Sequence, residues 1–356
     1  NRARPNLQVI TGAQATRILL EQKRAVGVEY AQGGEIKQLR CTREVLLCAG
    51  ALQSPQLLML SGIGPHMHLL ENGIATQHDL PGVGQNLHDH VDVVQVVNAP
   101  QLKDLFGLSL AGVVRMMKGI VEWRKFRTGM LTTNFAEAGG FIKSQASEPI
   151  PDLQLHFVIG KLVNHGRTTT FGHGYSCHVC LLRPKSRGSV MLDSKDPFAA
   201  PLIDPGFLTD RDDMDRLMRG FKLMRSILSQ PALSGYHGRE LAELEAAKTD
   251  FQIEKFIRDH ADTIYHPAGP CRMGPRPMDA LRPTPRGAHL PAEFRRQHGR
   301  LPGPARPRDR PRREARAEAR ARRAEQLGPD RPDGNRAQGN RQRGAPEAAA
   351  RKHDRT

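Results

Sequence analysis

The chain has 356 residues and a formal net charge of +16, from 53 Lys+Arg against 37 Asp+Glu. Residues 275–356 hold 22 of the bases and 10 of the acids, so this segment carries +12 and the first 274 residues only +4. The high pI therefore belongs to the tail, which excludes a basic nucleic-acid-binding surface spread over the whole protein. The tail has no Val, Ile, Tyr, Trp or Cys, a single Phe (Phe294), and 12 of the 26 prolines. Such a composition cannot bury enough apolar surface to offset chain entropy, so it is expected to be disordered. The body is long enough for a core of roughly 200–270 residues. Its five cysteines, Cys41, Cys48, Cys177, Cys180 and Cys271, are scattered without framework spacing. With no apolar leader and no apolar run of about 18 residues, a cytoplasmic chain without a membrane span is expected. It starts at Asn1 in mid-element, as a fragment does.

In chain order, Leu7, Val9 and Ile10 predict a strand leading into Thr11-Gly12, and Ala25–Tyr30 a second strand after the basic turn at Lys23-Arg24. Gly33-Gly34 predicts a hairpin turn before Ile36–Arg40. Glu44–Cys48 reads as a short buried strand, turned sharply by Ala49-Gly50-Ala51. Ser54 as N-cap, Pro55 at the first helical position and Gly62 just past the end predict a helix through Leu57, Leu58 and Leu60. From Leu105 to Trp123 apolar residues recur at helical spacing, with Arg115, Lys118, Arg124 and Lys125 interleaved. That pattern reads as an amphipathic helix packed on its own domain, with a membrane-surface helix as the alternative. Leu153–Phe157 and Ser176–Leu182 alternate as strands, and Ser186-Arg187-Gly188 is expected to fold the second into an antiparallel hairpin with Ser189–Leu192. Met214, Leu217, Met218, Phe221, Met224, Ile227 and Leu228 share one face of a helix capped by Thr209 or Asp210.

Two short patterns invite a metal reading. Cys177-His178-Val179-Cys180 sits in an alternating strand, where positions three apart point to opposite faces, and no second pair lies within zinc spacing. His88-Asp89-His90 offers two imidazoles one residue apart, a pattern that usually packs or hydrogen-bonds. No metal site is expected. Neither Gly62-Ile63-Gly64 nor Gly82-Val83-Gly84 continues into a dinucleotide fingerprint, and no phosphate-binding lysine loop or nucleophile elbow occurs.

A set of longer segments in a fixed order is more specific. Gly50-Ala51-Leu52-Gln53-Ser54-Pro55-Gln56-Leu57-Leu58-Met59-Leu60-Ser61-Gly62-Ile63-Gly64 resembles the second signature of the glucose–methanol–choline (GMC) family of FAD-dependent oxidoreductases. Leu80-Pro81-Gly82-Val83-Gly84-Gln85-Asn86-Leu87-His88-Asp89-His90 is similar to the family's following loop, which approaches the flavin. Tyr265-His266-Pro267-Ala268-Gly269-Pro270-Cys271-Arg272-Met273-Gly274 resembles its active-site segment. Arg4-Pro5-Asn6-Leu7 with Thr11-Gly12-Ala13-Gln14-Ala15 is similar to its adenine-side strand, and Pro184–Gly188 with Asp196-Pro197 to its substrate-domain hairpin. The resemblance covers residues 1 to 274 and is nearest to the choline dehydrogenase-like and alcohol dehydrogenase branch. The family's glycine-rich Rossmann motif is missing, and after Gly274 the Arg-rich tail replaces the second active-site segment, so His289 and His298 receive no role. The abrupt switch reads as a frame-shifted translation.

The resemblance implies an α/β plus α+β fold: a partial FAD-binding (Rossmann-like) domain over residues 1–91, an antiparallel-sheet substrate-binding domain over 92–258, and an active-site segment, 259–274, returning to the first. It implies oxidation of a primary alcohol to an aldehyde, with FAD as cofactor and a quinone or other carrier as electron acceptor. His266 is the implied catalytic base, since neutral imidazole is abundant near pH 7. Ala15, Gly50, Ala51, Ser54 and Asn86 are implied FAD contacts, and Asn134 and Glu137 substrate contacts. This chain alone is expected to be inactive. The location is expected to be cytoplasmic or peripheral to the inner face of the membrane. An arginine-rich arm binding nucleic acid, or a non-catalytic remnant, are the alternative functions; the tail lacks stacking aromatics, and no specific nucleic acid is expected.

Overall fold

A computed structural model describes residues 4–274, together with the backbone of Arg282–Thr284 and Gly287–His289, two short strands that pair antiparallel. The expectation of disorder across 275–356 otherwise falls outside the described residues.

The chain opens with an antiparallel meander of β1 (Ala13–Glu21), β2 (Arg24–Gln32) and β3 (Glu35–Arg40). Both connections are two-residue turns with left-handed central residues, Gln22-Lys23 and Gly33-Gly34, as tight hairpins require. The strand expected at Leu7–Ile10 instead begins at Ala13; these three apolar side chains are exposed, and residues 7–12 join no ladder. Glu44–Cys48 is likewise neither strand nor buried, and Leu46 is 76% exposed. A strand needs a hydrogen-bonded neighbour, and none stands beside this segment among the described residues.

Helix α1 (Gly50–Leu60) starts four residues earlier than Ser54. Ala49 precedes it without a side-chain cap, and Pro55 lies inside the helix. Its end is as expected: Gly62 takes a left-handed φ of 79°, and a Cβ there would stand 2.6 Å from the Ala75 carbonyl oxygen. Ile18 of β1 packs on Leu57 and Leu58, and its N–H donates to the Ser61 hydroxyl at 2.8 Å. With Met59, Ile63, Leu69, Leu80 and Val83 they form the first buried cluster. Around it run β4 (Ile63–Gly64), α2 (His66–Glu71) and β5 (His78–Asp79), where β4 and β5 pair in parallel.

After β6 (Gln85–Leu87) the chain enters a seven-stranded antiparallel sheet. Its backbone is β7 (Val91–Asn98), β9 (Ala136–Ile142), β10 (Leu153–Val158) and β11 (Gly172–Leu181), in the order β7-β11-β10-β9. Leu153–Phe157 and Ser176–Leu181 are strands, as the alternation predicts, and they pair with each other in antiparallel register, with Leu153 opposite Leu181 and His156 opposite His178. Short edges are added by β8 (Gly107–Leu108) and, later in the chain, by β14 (Arg239–Glu240) and β15 (Asp262–Thr263). One face carries Val91, Val93, Val97, Leu153, Leu155, Cys177, Val179 and Leu181, the core of the second cluster. It is covered by α4 (Arg211–Leu228) through Met214, Leu217, Phe221 and Met224, and by α6 (Asp250–His260) through Ile253 and Ile257. Asp210 is the cap of α4, accepting from the Asp212 N–H, and Thr249 with Gln252 forms a capping box on α6.

Period-two alternation then aims Asp92, His156 and His178 at the opposite face. Cys177 and Cys180 do point to opposite faces, both buried, and burial pushes the Cys177 thiol up to about 12. Between β8 and β9, α3 (Leu110–Phe126) is capped by Ser109, whose hydroxyl accepts from the Gly112 N–H. Contrary to the simpler expectation, its apolar side does not pack on the domain: Gly119 alone is buried, while Leu110, Val114, Met117, Val121 and Phe126 are exposed.

The expected hairpin of β11 with Ser189–Leu192 does not form. Strand β12 (Gly188–Met191) pairs with β13 (Leu202–Asp204) and with β6 in a separate three-stranded sheet. The buried Asp213 carboxylate of α4 explains the diversion. It accepts the N–H groups of Lys185 and Ser186 at 2.7–3.0 Å and turns the chain off the sheet edge. Asp213→Ala strips these donors of their acceptor in a dry site and should lower unfolding free energy by about 3 kcal/mol in urea titration.

A second carboxylate, Asp152, ties the β9–β10 connection to α4. It accepts from the Ser144 N–H and hydroxyl, both at 2.7 Å, and pairs with Arg216 at 2.8 Å. Burial pushes its carboxyl up, but those bonds outweigh burial and hold it below the ordinary carboxylate range. A depressed folded-state pKa stabilises above the unfolded value, about 4, and that contribution is lost as pH falls through the folded pKa. The stability gap between wild type and Asp152→Asn should therefore be widest near neutrality and shrink below about pH 4, as thermal unfolding across pH would show.

Candidate active site

Two loops meet at the edge of the seven-stranded sheet: residues 84–90, leading into β7, and residues 263–270, following β15. Asp89, nearly fully buried, joins them. Its Oδ1 accepts the His266 N–H at 2.9 Å, and its Oδ2 accepts the Thr263 hydroxyl. The Thr263 oxygen in turn accepts the Tyr265 N–H at 2.8 Å. These bonds hold Tyr265 at a φ of 66°, a left-handed conformation that a bulky side chain rarely adopts. His88 and Ala268 exchange both backbone hydrogen bonds at 2.9 Å, and the Gly84 N–H donates to the Pro270 carbonyl. Gly269, at φ 102°, lies so close that a Cβ would stand 2.2 Å from the Asn86 carbonyl oxygen.

The clamp leaves the His266 side chain exposed, with Nδ1 at 3.3 Å from Nδ1 of His90 and the rings edge to face. Burial, with the neighbouring His266 second, holds His90 below the ordinary imidazole range. His266 lines a cleft of about 690 Å³ with Asn134, Phe106, Phe135, Ile264, His156 and His178. Burial likewise holds His156 below the ordinary range, so the cleft presents a neutral imidazole against an apolar wall.

The structure thus brings His266 and Asn134 together on one cleft. Glu137, on β9, is exposed and does not line it. Asn86 lies in the clamped loop at a φ of 67°, its Oδ1 accepting from Arg187 at 3.3 Å and Arg272 at 3.1 Å. Ala15 lies opposite Tyr30 in the meander, and Gly50, Ala51 and Ser54 belong to the first turns of α1, outside the cleft lining. Reading by motif missed Asp89 as the clamp, His90 as the neighbour of His266, and His156 and His178 as polar walls. The signal for His156 and His178 was available: both occupy the alternate, non-core positions of strands whose other residues are apolar.

The ends of the folded part match two halves of one family's sequence description, GMC oxidoreductase. The N-terminal domain matches residues 1–92 and the C-terminal domain residues 184–281. The chain is 43% identical over 282 residues to an alcohol dehydrogenase [acceptor] of Pseudomonas putida, covering 79% of this chain and 51% of that protein. It is 40% identical over 272 residues to an oxygen-dependent choline dehydrogenase of Brucella ovis, covering 76% and 49%. It spans about half the length of these relatives. Among solved structures, pyridoxine 4-oxidase of Mesorbium loti superposes with a TM-score of 0.64 at 26% identity, over 78% of this chain and 51% of that one. A formate oxidase of Aspergillus oryzae RIB40, described for its FAD modification, superposes with a TM-score of 0.67 at 25% identity, over 76% and 52%. The first matched domain contains α1, Asn86 and Asp89 and the second contains His266, so the loops that Asp89 clamps come from both; the chain belongs to the GMC oxidoreductase family.

Proposed function

We propose that this chain forms the substrate side of an FAD-dependent oxidoreductase that converts a primary alcohol to its aldehyde, with His266 as the base. The observation that carries this reading is the Asp89 clamp, which fixes the His266 backbone at the wall of a largely apolar cleft. The alcohol and choline dehydrogenase names of its relatives support the substrate class.

The residues present fit part of an FAD site. No side chain caps the first turn of α1, and nothing stands within 4 Å of where a Cβ of Gly50 would be. Free N–H groups at the positive end of a helix, facing open space, suit a diphosphate. Gly50, Ala51 and Ser54 are assigned to that group, Ala15 to the adenine side, and Asn86 to the loop beside the ring. FAD, when bound, supplies the hydride acceptor. His266 takes the proton from the alcohol oxygen at Nε2, because its Nδ1 already faces His90. Asn134, on the same cleft, is assigned to orient the substrate; Glu137, outside the lining, is assigned no contact.

The chain carries no glycine-rich strand–helix turn of the dinucleotide-binding kind, so by itself it should bind FAD weakly and show no turnover. Joined to a glycine-rich FAD-binding segment of the kind the family resemblance implies, it should oxidise primary alcohols. His266→Ala should then lower turnover by about 10²–10⁴-fold, the usual span for a positioned base, with the flavin absorbance unchanged. Equal losses of flavin and activity would make His266 structural.

A peripheral membrane location, where a quinone is the proposed electron acceptor, draws its support for the membrane part from α3. Among the described residues no helix is long and apolar enough to cross a membrane. Yet α3 exposes Leu110, Val114, Met117, Val121 and Phe126 alongside Arg115, Lys118, Arg124 and Lys125, the make-up of a helix lying in an anionic interface. The protein should co-sediment with phosphatidylglycerol vesicles, less so in high salt, and Met117→Glu with Val121→Glu should abolish this. Absence of sedimentation in low salt would remove the membrane from the proposal.

A further inference from the structure

On the cleft side of the seven-stranded sheet lies a buried cluster that the oxidation chemistry does not use. Asp92 of β7 stands opposite Cys180 of β11, which makes it a diagonal neighbour of His178 two residues along. The His178 Nδ1 is 2.6 Å from Asp92 Oδ2. A third group arrives from a loop: His165 Nδ1 is 3.8 Å from the same oxygen. His165 is brought in by a turn in which Asn164, His165 and Gly166 all take left-handed φ values of 52°, 52° and 80°. Non-glycine residues in that region cost of order 1 kcal/mol each and persist where the surroundings over-determine them.

The three side chains are almost wholly removed from water, at 0% exposure for Asp92, 8% for His178 and 7% for His165. Yet Asp92 Oδ1, His165 Nε2 and His178 Nε2 have no hydrogen-bond partner. One proton between His178 and Asp92 satisfies a single pair and leaves these three atoms bare. Each bare atom in a dry site costs about 1–3 kcal/mol, so their concentration in one place needs a reason.

We propose that Asp92, His165 and His178 bind one divalent transition-metal ion of the zinc class. One donor atom from each lies within 4.8 Å of the others. Tetrahedral bonds of about 2.0–2.1 Å place ligand atoms roughly 3.3 Å apart. Drawing donor atoms that stand within 4.8 Å of one another to that spacing takes movements of about 1.5 Å or less, and rotation of the imidazoles can bring the bare Nε2 atoms onto the ion. Two imidazoles and one carboxylate select zinc, cobalt, nickel or copper over the oxygen-seeking magnesium and calcium. His165 lines a second cavity of about 400 Å³ beside Arg167 and Asp262, a route for the ion, while His178 lines the active cleft. Three protein ligands leave a fourth position for water, and when His178 ligates through Nδ1 its ring proton moves to Nε2. The ion would pin the 164–166 turn to the sheet independently of any flavin.

The test is a titration of the chelator-treated full chain with Co²⁺. One equivalent should bind, with the visible absorption bands of four-coordinate cobalt, no sulfur-to-metal charge-transfer band, and displacement by Zn²⁺. His165→Ala, in a loop outside the packed core, and Asp92→Asn should each weaken binding about 100-fold or more, with Cys180→Ser leaving it unchanged. Circular dichroism confirms that each variant is folded; should Asp92→Asn unfold, His165→Ala decides alone. Absence of a cobalt spectrum, a thiolate band, or unaltered affinity in folded His165→Ala overturns the proposal.

Discussion

The Asp89 carboxylate is the contact on which the candidate site depends. It is nearly fully buried and accepts from the His266 N–H and the Thr263 hydroxyl, and so joins a loop before β7 to one more than 170 residues later. Charge-assisted bonds of this kind are roughly twice as strong as neutral ones. That strength is needed here, because Tyr265 sits at a positive φ and would relax if the loop were released. The imidazole next to it can stay exposed to a substrate without wandering because its own backbone is tied down.

The seven-stranded sheet supplies the second constraint. Its strands read as alternating, and the alternation is used twice. One face gives α4 and α6 an apolar floor, centred on Val93, Leu153, Val179 and Phe221. The other face, which needs no helix, presents Asp92, His156 and His178. A sheet interior is a rigid place from which to aim side chains, and the diagonal contact between Asp92 and His178 follows from strand register alone. Stability and chemistry are thereby separated by a single residue step, and a register slip of one would destroy both.

How much of this was legible in the sequence depended on whether the relevant partner was local. The Gly33-Gly34 turn, the Asp210 cap and the strand character of Leu153–Phe157 and of β11 rest on neighbours in sequence or on period, and all were readable; which strand pairs with which was not. Glu44–Cys48 and Leu7–Ile10 have strand composition but no ladder partner among the described residues, and apolar composition cannot supply one. Ser189–Leu192 looked like a hairpin arm because the turn residues beside it are good; a carboxylate 27 residues after Ser186, Asp213, sends it elsewhere. The start of α1 was misplaced for the opposite reason. Ser54-Pro55 is so strong a local start signal that it hid an uncapped turn beginning at Gly50. At the site, His266 was legible only through its flanking motif. Asp89 was visible as a residue and not as a clamp, since nothing nearby in sequence shows that its acceptors face a loop near residue 265.

The clamp also couples two parts of the site that motif reading treats separately. Asn86 belongs to the loop assigned to the flavin side, and His266 to the loop assigned to the base. Gly269 packs against the Asn86 backbone with no room for a side chain, and Asn86 Nδ2 reaches the Gly269 carbonyl at 3.4 Å. Two hydrogen bonds between His88 and Ala268 lie two residues after Asn86 on one loop and one residue before Gly269 on the other. A displacement of either loop must therefore move the other. Under the proposed roles of Asn86 and His266, the spacing between the flavin-side loop and the base is then set by one packed unit and does not have to be recovered by each loop independently.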